Sequence, residues 1–186
     1  VELILIRHPA PLAAPGICYG SSDLPADPAA LAACHAAIAH SLSPELLLAI
    51  PIWTSPLRRC TALAGLLAAT PGRNAHAMPD ARLVELHFGA WELCAWDDIP
   101  RAEVEAWAAD LLNYRPGGGE SVLDAARRVQ SFLQTLDSSA IMVCHAGTIR
   151  LLQALASGAE LNEAAMRAAS SPHAIAYGSI QRVIIE

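Results

Sequence analysis

The chain has 186 residues, enough for one hydrophobic core and short for two. Its formal charge of −6 excludes a basic nucleic-acid surface, and no apolar run reaches the ~20 residues that cross a bilayer. The opening VELILIRH is too short, and too soon interrupted by charge, for a signal sequence, so one cytoplasmic, water-soluble domain over 1–186 is expected.

Glu2–Ile6 is a short apolar run rich in β-formers and reads as a buried strand. Pro9–Pro28 is dense in Pro, Gly, Ser and Asp and predicts an irregular loop. Asp27–Leu42 has helical periodicity, Ile50–Thr54 reads as a second buried strand, and Pro56–Ala69 as a helix with Pro in its first turn. A strand is expected around Ala75–Met78. A helix from Asp98 to about Leu112 would carry Val104, Trp107, Leu111 and Leu112 on one stripe. Tyr114–Glu120 is a glycine-rich loop, and Ser121 opens a helix over Val122–Leu136. Ala140–Cys144 reads as a strand and Thr148–Ala156 as a helix, while His173–Tyr177 and Ile180–Ile185 predict a hairpin turning at Gly178–Ser179. Strands alternating with helices give an α/β fold with a mostly parallel central sheet flanked by helices.

Three of these strands end in similar chemistry. The first runs into Arg7-His8, the second into Thr54-Ser55 with Arg58 and Arg59 close behind, and the third into His145-Ala146-Gly147. Open α/β sheets bind ligands beyond the carboxyl ends of their strands. Two histidines and several arginines at one such edge would form a positive cup suited to a dianion. All 12 basic residues are arginine, whose planar fork pairs with phosphate. No carboxylate lies in these segments to hold a divalent ion, so no metal and no cofactor are expected. A neutral imidazole is a good nucleophile toward phosphorus, with Arg7, Arg59 and a protonated His145 to steady the charge that spreads over the transferred group. Glu85, in the apolar segment Leu83–Gly89, is the candidate acid for the departing alkoxide and base for the attacking water.

Each residue also has a plainer reading. Neighbours on a strand face opposite ways, so Arg7 and His8 share a site only if the strand stops there, as Pro9 allows. Arg58 and Arg59 could be solvated, His145 a core histidine, and Glu85 a strand-end ion-pair partner. His35 and His40 are five apart, off the spacing that aligns ligands on a helix. Gly117–Gly119 lacks the preceding strand and following Lys of a phosphate loop. The five cysteines are odd in number and contain no CxxC pair, which suggests reduced thiols.

Taken in order, LIRHP at Leu5–Pro9, TSPLRRC at Thr54–Cys60, ELHFGAWE at Glu85–Glu92, PGGGES at Pro116–Ser121 and VCHAGTIR at Val143–Arg150 resemble the histidine phosphatase superfamily, the phosphoglycerate mutase-like proteins. That resemblance implies a three-layer α/β sandwich. It places the phosphorylated histidine at His8, phosphate-binding arginines at Arg7 and Arg59, the second histidine at His145 and the proton donor at Glu85, with no metal. Two positions depart from the family pattern: Pro9 stands where most members carry Gly, and Pro9–Pro28 lacks the Asn of mutase-type members. Hydrolysis is thus expected over mutase activity. GICYGSSDLP at Gly16–Pro25 and AWDDIPRAE at Ala95–Glu103 resemble the α-ribazole phosphatases, which implies α-ribazole 5′-phosphate, an intermediate of cobalamin assembly, as substrate. Tyr19, Trp91 and Trp96 are candidates to stack on its benzimidazole, with Trp107 assigned to the core. The alternatives are another small phosphomonoester such as a sugar phosphate, or an inactive phosphate binder.

Overall fold

The computed structural model describes residues 1–172 and 174–185. Its sheet is built from β1 (Glu2–Arg7), β2 (Ile52–Thr54), β3 (Met78–Pro79), β4 (Ala140–Cys144) and β5 (Ile180–Ile184) in the order β3-β2-β4-β1-β5. The first four run parallel, and β5 pairs antiparallel with β1. The mostly parallel α/β sheet expected from the sequence is therefore observed.

Strand alternation sorts the core into two layers. Leu3, Leu5, Met142 and Cys144 face helices α5 (Val122–Leu133), α6 (Ala146–Ala156) and α7 (Leu161–Ser170). Ile4, Ile6, Ile141 and Val143 face α1 (Pro28–Ser41), α2 (Pro44–Ala49) and α3 (Arg58–Ala68). Leu3–Ile6 are fully buried, as a strand covered on both faces requires. With α4 (Arg101–Ala109), these are the seven α-helices among the described residues, and none is long and apolar enough to cross a membrane.

Several boundaries follow local capping chemistry. Asp27 Oδ1 accepts the Ala30 N–H at 2.8 Å at the start of α1, and Ser121 Oγ accepts the Asp124 N–H at 3.1 Å at the start of α5. The sequence reading overlooked α2 and α7, although Ser43 before Pro44 is a start signal; Ser43 Oγ accepts the Leu46 N–H at 3.2 Å. The helix expected to reach Leu112 stops at Ala109, where Asp110 turns the chain by accepting the Asn113 N–H.

The expected hairpin does not form. Ala174–Tyr177 is not a strand, and His173 lies outside the described residues. The partner of β5 is β1 instead, and the turn at Tyr177–Gly178 feeds β5 onto it. Gly117–Gly119 serves packing between two loops: at Gly117 (φ +57°) an added Cβ would lie 2.4 Å from the Phe88 carbonyl. The turn thus braces the segment that follows Glu85.

Candidate active site

Register brings the three polar strand ends together. Arg7 lies beside Cys144 and Thr54 beside Val143, so the chain leaves the sheet at the same edge three times. The His8 N–H still donates to the Cys144 carbonyl at 3.0 Å, and the Ser55 N–H to that of Val143 at 2.9 Å. The ladder ends there, and Pro9 prevents its extension. His8, Arg59 and His145 are all buried, at 2%, 0% and 1% exposure.

One guanidinium orients both imidazoles. Arg59 Nε donates to His8 Nε2 at 3.3 Å, and Arg59 Nη2 to His145 Nδ1 at 3.3 Å. Arginine has only donors, so each of those ring nitrogens presents its lone pair. The remaining protons then sit on His8 Nδ1, which donates to the Pro9 carbonyl at 2.7 Å, and on His145 Nε2, which donates to Ser55 Oγ at 2.8 Å. The two rings meet edge to face with centroids 4.9 Å apart.

Burial lowers the His8 pKa from 6.5 to about 3; the charges of Arg59 and Arg7 add to the effect and outweigh the opposing hydrogen bond to Pro9. Burial, then His8, Arg59, Arg128 and Arg7, hold His145 well below its ordinary value too. The sequence expectation of a protonated His145 is therefore corrected: complete burial, with the neighbouring arginine charges adding to it, favours the neutral ring in the folded chain. Depressed folded-state values mean that the unfolded chain binds more protons below pH 6.5, so stability falls as pH drops from 6.5 toward 3. For His8 the expected slope is about 1.4 kcal/mol per pH unit. Urea unfolding at pH 7 and pH 5 should show a loss that is about 2 kcal/mol smaller in His8→Asn. Equal losses in the two proteins would show that His8 is not held neutral by the fold.

The cup is closed by the loop after β1. Arg59 Nη2 donates to the Gly20 carbonyl at 2.5 Å and Nη1 to that of Ser22 at 2.6 Å. The opposite face of this loop is held by Glu92, which accepts the N–H groups of Gly20, Ser21, Ser22 and Phe88 at 3.0–3.2 Å and both serine hydroxyls. Burial alone would raise the Glu92 carboxyl, but these hydrogen bonds overcome it and hold the group below its ordinary pKa. Asp23 Oδ1 accepts the Arg58 N–H at 2.6 Å at the start of α3, so Arg58 is neither simply solvated nor part of the cup.

Glu85 follows the short 3-10 turn Ala81–Leu83 and caps α6: its Oε2 accepts the Gly147 N–H at 2.9 Å and its Oε1 the Leu86 N–H at 3.0 Å. Together with Arg7, His8, Tyr19, Arg59 and His145 it lines a cavity of about 350 Å³. Beside the cup the wall becomes apolar, with Ile17, Phe88, Trp96, Trp107 and Leu111. Trp96 and Trp107 stack at 6.4 Å with their planes 6° apart.

Trp91 is not on this wall and is corrected to a core residue. It is 3% exposed, packs among Trp96, Trp107 and Tyr114, and donates its indole N–H to Glu103 at 2.7 Å. Trp107, assigned to the core from the sequence, packs against that core and also lines the wall. Helical periodicity indicates which stripe of α4 is covered but not that the cover includes a cavity. Sequence reasoning also missed Arg128, whose guanidinium holds Glu120 bidentately and donates to the Arg82 and Val84 carbonyls at 2.8 Å, fixing the backbone before Glu85. Among the described residues no three His, Cys, Asp or Glu side chains are grouped to hold a metal ion.

A buried histidine pair bridged by an arginine, at the carboxyl edge of this sheet, defines a class of protein. The chain belongs to the histidine phosphatase superfamily (branch 1), whose family model matches residues 3–178. Proteins that it resembles are named as phosphatases and as a mutase. Over 85 residues it is 33% identical to the adenosylcobalamin/alpha-ribazole phosphatase of Salmonella typhimurium; the match spans 41% of this chain and 41% of that curated relative. The crystal structure of the alpha-ribazole phosphatase from Shigella flexneri superimposes with a TM-score of 0.82, covering 100% of this chain and 91% of the other, at 22% identity, a likeness of fold. The phosphoglycerate mutase from Thermus thermophilus gives a TM-score of 0.72 at 27% identity over 98% and 92% of the two chains. The phosphoglycerate mutase-like architecture expected from the sequence is thus observed.

Proposed function

We propose that the chain hydrolyses a phosphate monoester, without a metal, through a phosphohistidine at His8, and that its substrate is α-ribazole 5′-phosphate. The observation that carries the reading is the buried imidazole pair on Arg59: burial, helped by the arginine charges, holds both rings neutral, and His8 Nε2 at the cavity is freed for attack when Arg59 Nε turns from its lone pair to a phosphoryl oxygen. That nitrogen attacks phosphorus; the N–P bond forms as the ester P–O bond breaks, and the leaving oxygen takes a proton from the Glu85 carboxyl. Water then gives its proton back to Glu85 and attacks phosphorus, the N–P bond breaks, and phosphate departs with His8 neutral again. Arg7 and Arg59 stabilise the equatorial oxygens in both steps, and His145 holds Arg59 in place through Nδ1. The missing Asn in the loop after His8 supports hydrolysis over the mutase reaction.

The leaving group is read from the wall beside the cup. Phe88, Trp96, Trp107 and Leu111 offer a flat apolar surface that suits a benzimidazole and gives sugar hydroxyls little to bond. The test is a panel of phosphomonoesters assayed in a chelator. The expected kcat/KM for α-ribazole 5′-phosphate exceeds that for ribose or glucose phosphates, and Trp107→Ala or Trp96→Ala lowers the former by about 10–100-fold, the worth of one lost stacking partner. Equal rates across the panel, or tryptophan variants that affect all substrates alike, would remove the nucleoside from the reading. Activity lost to the chelator and restored by a divalent ion would remove the metal-free mechanism.

A further inference from the structure

The side chain of Arg7 is fixed by residues far away in sequence. Its guanidinium carbon lies 3.8 Å from the centroid of the Tyr177 ring, and its Nη1 donates to the Ile175 carbonyl. The backbones are tied as well: the Arg7 N–H donates to the Ser179 carbonyl at 3.1 Å, and the Gly178 N–H to that of Arg7 at 3.0 Å. A planar cation needs two constraints to be fixed, one on its face and one on its edge. Tyr177 supplies the face and Ile175 the edge. Arg7 Nε is buried and has no hydrogen-bond partner among the described residues, although the side chain lines the cavity. That donor remains for a ligand oxygen.

We propose that Tyr177 is a positioning residue that sets the plane of Arg7 for phosphoryl oxygens. Its ring acts through the face of the guanidinium. Its hydroxyl bonds that of Tyr19, whose own ring lies 5.5 Å from the Arg59 guanidinium, so each cup arginine has a tyrosine beside it and the two tyrosines join across the mouth. The inference rests on the cup being a phosphate site.

The test measures binding of inorganic phosphate by titration calorimetry alongside hydrolysis of p-nitrophenyl phosphate. Tyr177→Ala is expected to weaken phosphate binding about tenfold and to raise KM more than it lowers kcat. Tyr177→Phe, which keeps the ring, is expected to recover all but about threefold of that loss. In an Arg7→Ala background, Tyr177→Ala should weaken binding by no more than about the threefold that Tyr177→Phe costs, because the route through the guanidinium face is gone and only its contacts with Tyr19 and the His8 ring remain. Equal losses from the Ala and Phe variants, or the same loss with and without Arg7, would overturn the proposal; thermal melts distinguish both from a folding defect. A chain that binds phosphate in this Tyr177-dependent way yet hydrolyses no monoester would refute the function proposed above and leave this inference standing.

Discussion

His8→Ala is expected to reduce turnover by about 10⁴–10⁶-fold, the scale seen when a nucleophile is removed. The fold should survive, because the substitution removes one imidazole at the edge of the sheet and leaves the backbone bond from His8 to Cys144 in place. Labelled substrate mixed with the wild-type chain should yield a phosphoenzyme that is stable in alkali and labile in acid, as a phosphoramidate is. His8→Ala should yield none. A labelled adduct that persists in the variant, or turnover within a hundredfold of wild type, would move the nucleophile elsewhere. His145 is the alternative to test, because its ring lies 4.9 Å from that of His8 in the same cup.

Glu85→Gln should separate substrates by their leaving groups. A ribose 5′-alkoxide departs poorly without a proton, so the burst of phosphoenzyme formation from α-ribazole 5′-phosphate should slow by about 10²–10⁴-fold. An aryl phosphate, whose phenolate leaves unaided, should lose far less in the same burst. Its steady-state turnover can still fall, because Glu85 also activates the water. Gln retains one acceptor for the two backbone N–H groups that Glu85 now satisfies, a structural cost of about 1–3 kcal/mol. That cost affects both substrates equally, so the ratio of the two bursts isolates proton transfer. Equal slowing would make Glu85 a scaffold for α6 and leave the acid unassigned. Glu92 and Asp23 are poor replacements: neither lines the cavity, and both are occupied in holding the loop after β1.

The parts of the molecule that were legible in the sequence are those where one physical signal dominates. β1 and β4 are continuous apolar runs because both of their faces are covered, and their ends carry the histidines because the ladder stops there. The convergence of Arg7, His8, Arg59 and His145 on one cavity then follows from parallel strands sharing an edge. What the sequence concealed depends on contacts between distant segments. Alternation in Ala174–Tyr177 resembles a strand, yet its carbonyl at Ile175 goes to the Arg7 side chain instead of a ladder. Trp91 and Trp107 look equivalent as letters; Trp91 found Glu103 for its indole N–H and was buried, while Trp107 was left facing the cavity. The charge of His145 was misjudged for the same reason, since nothing local tells how deeply it is buried or that an arginine reaches it.

The position of β1 in the sheet shapes how the chain must fold. Leu3 pairs with Ala140 on one side and Val183 on the other, so β1 has both of its neighbours encoded far downstream. Such non-local pairing slows folding, because the long loop between the partners must close before any return in pairing. Until β4 leaves the ribosome, Leu3–Ile6 is an apolar β-forming segment with two open edges, the kind of stretch that recruits other chains. The early-formed partners available to a nascent chain are α1, α2 and α3, which cover only the Ile4 and Ile6 face. During synthesis β1, and His8 directly behind it, therefore wait for partners that emerge well after them.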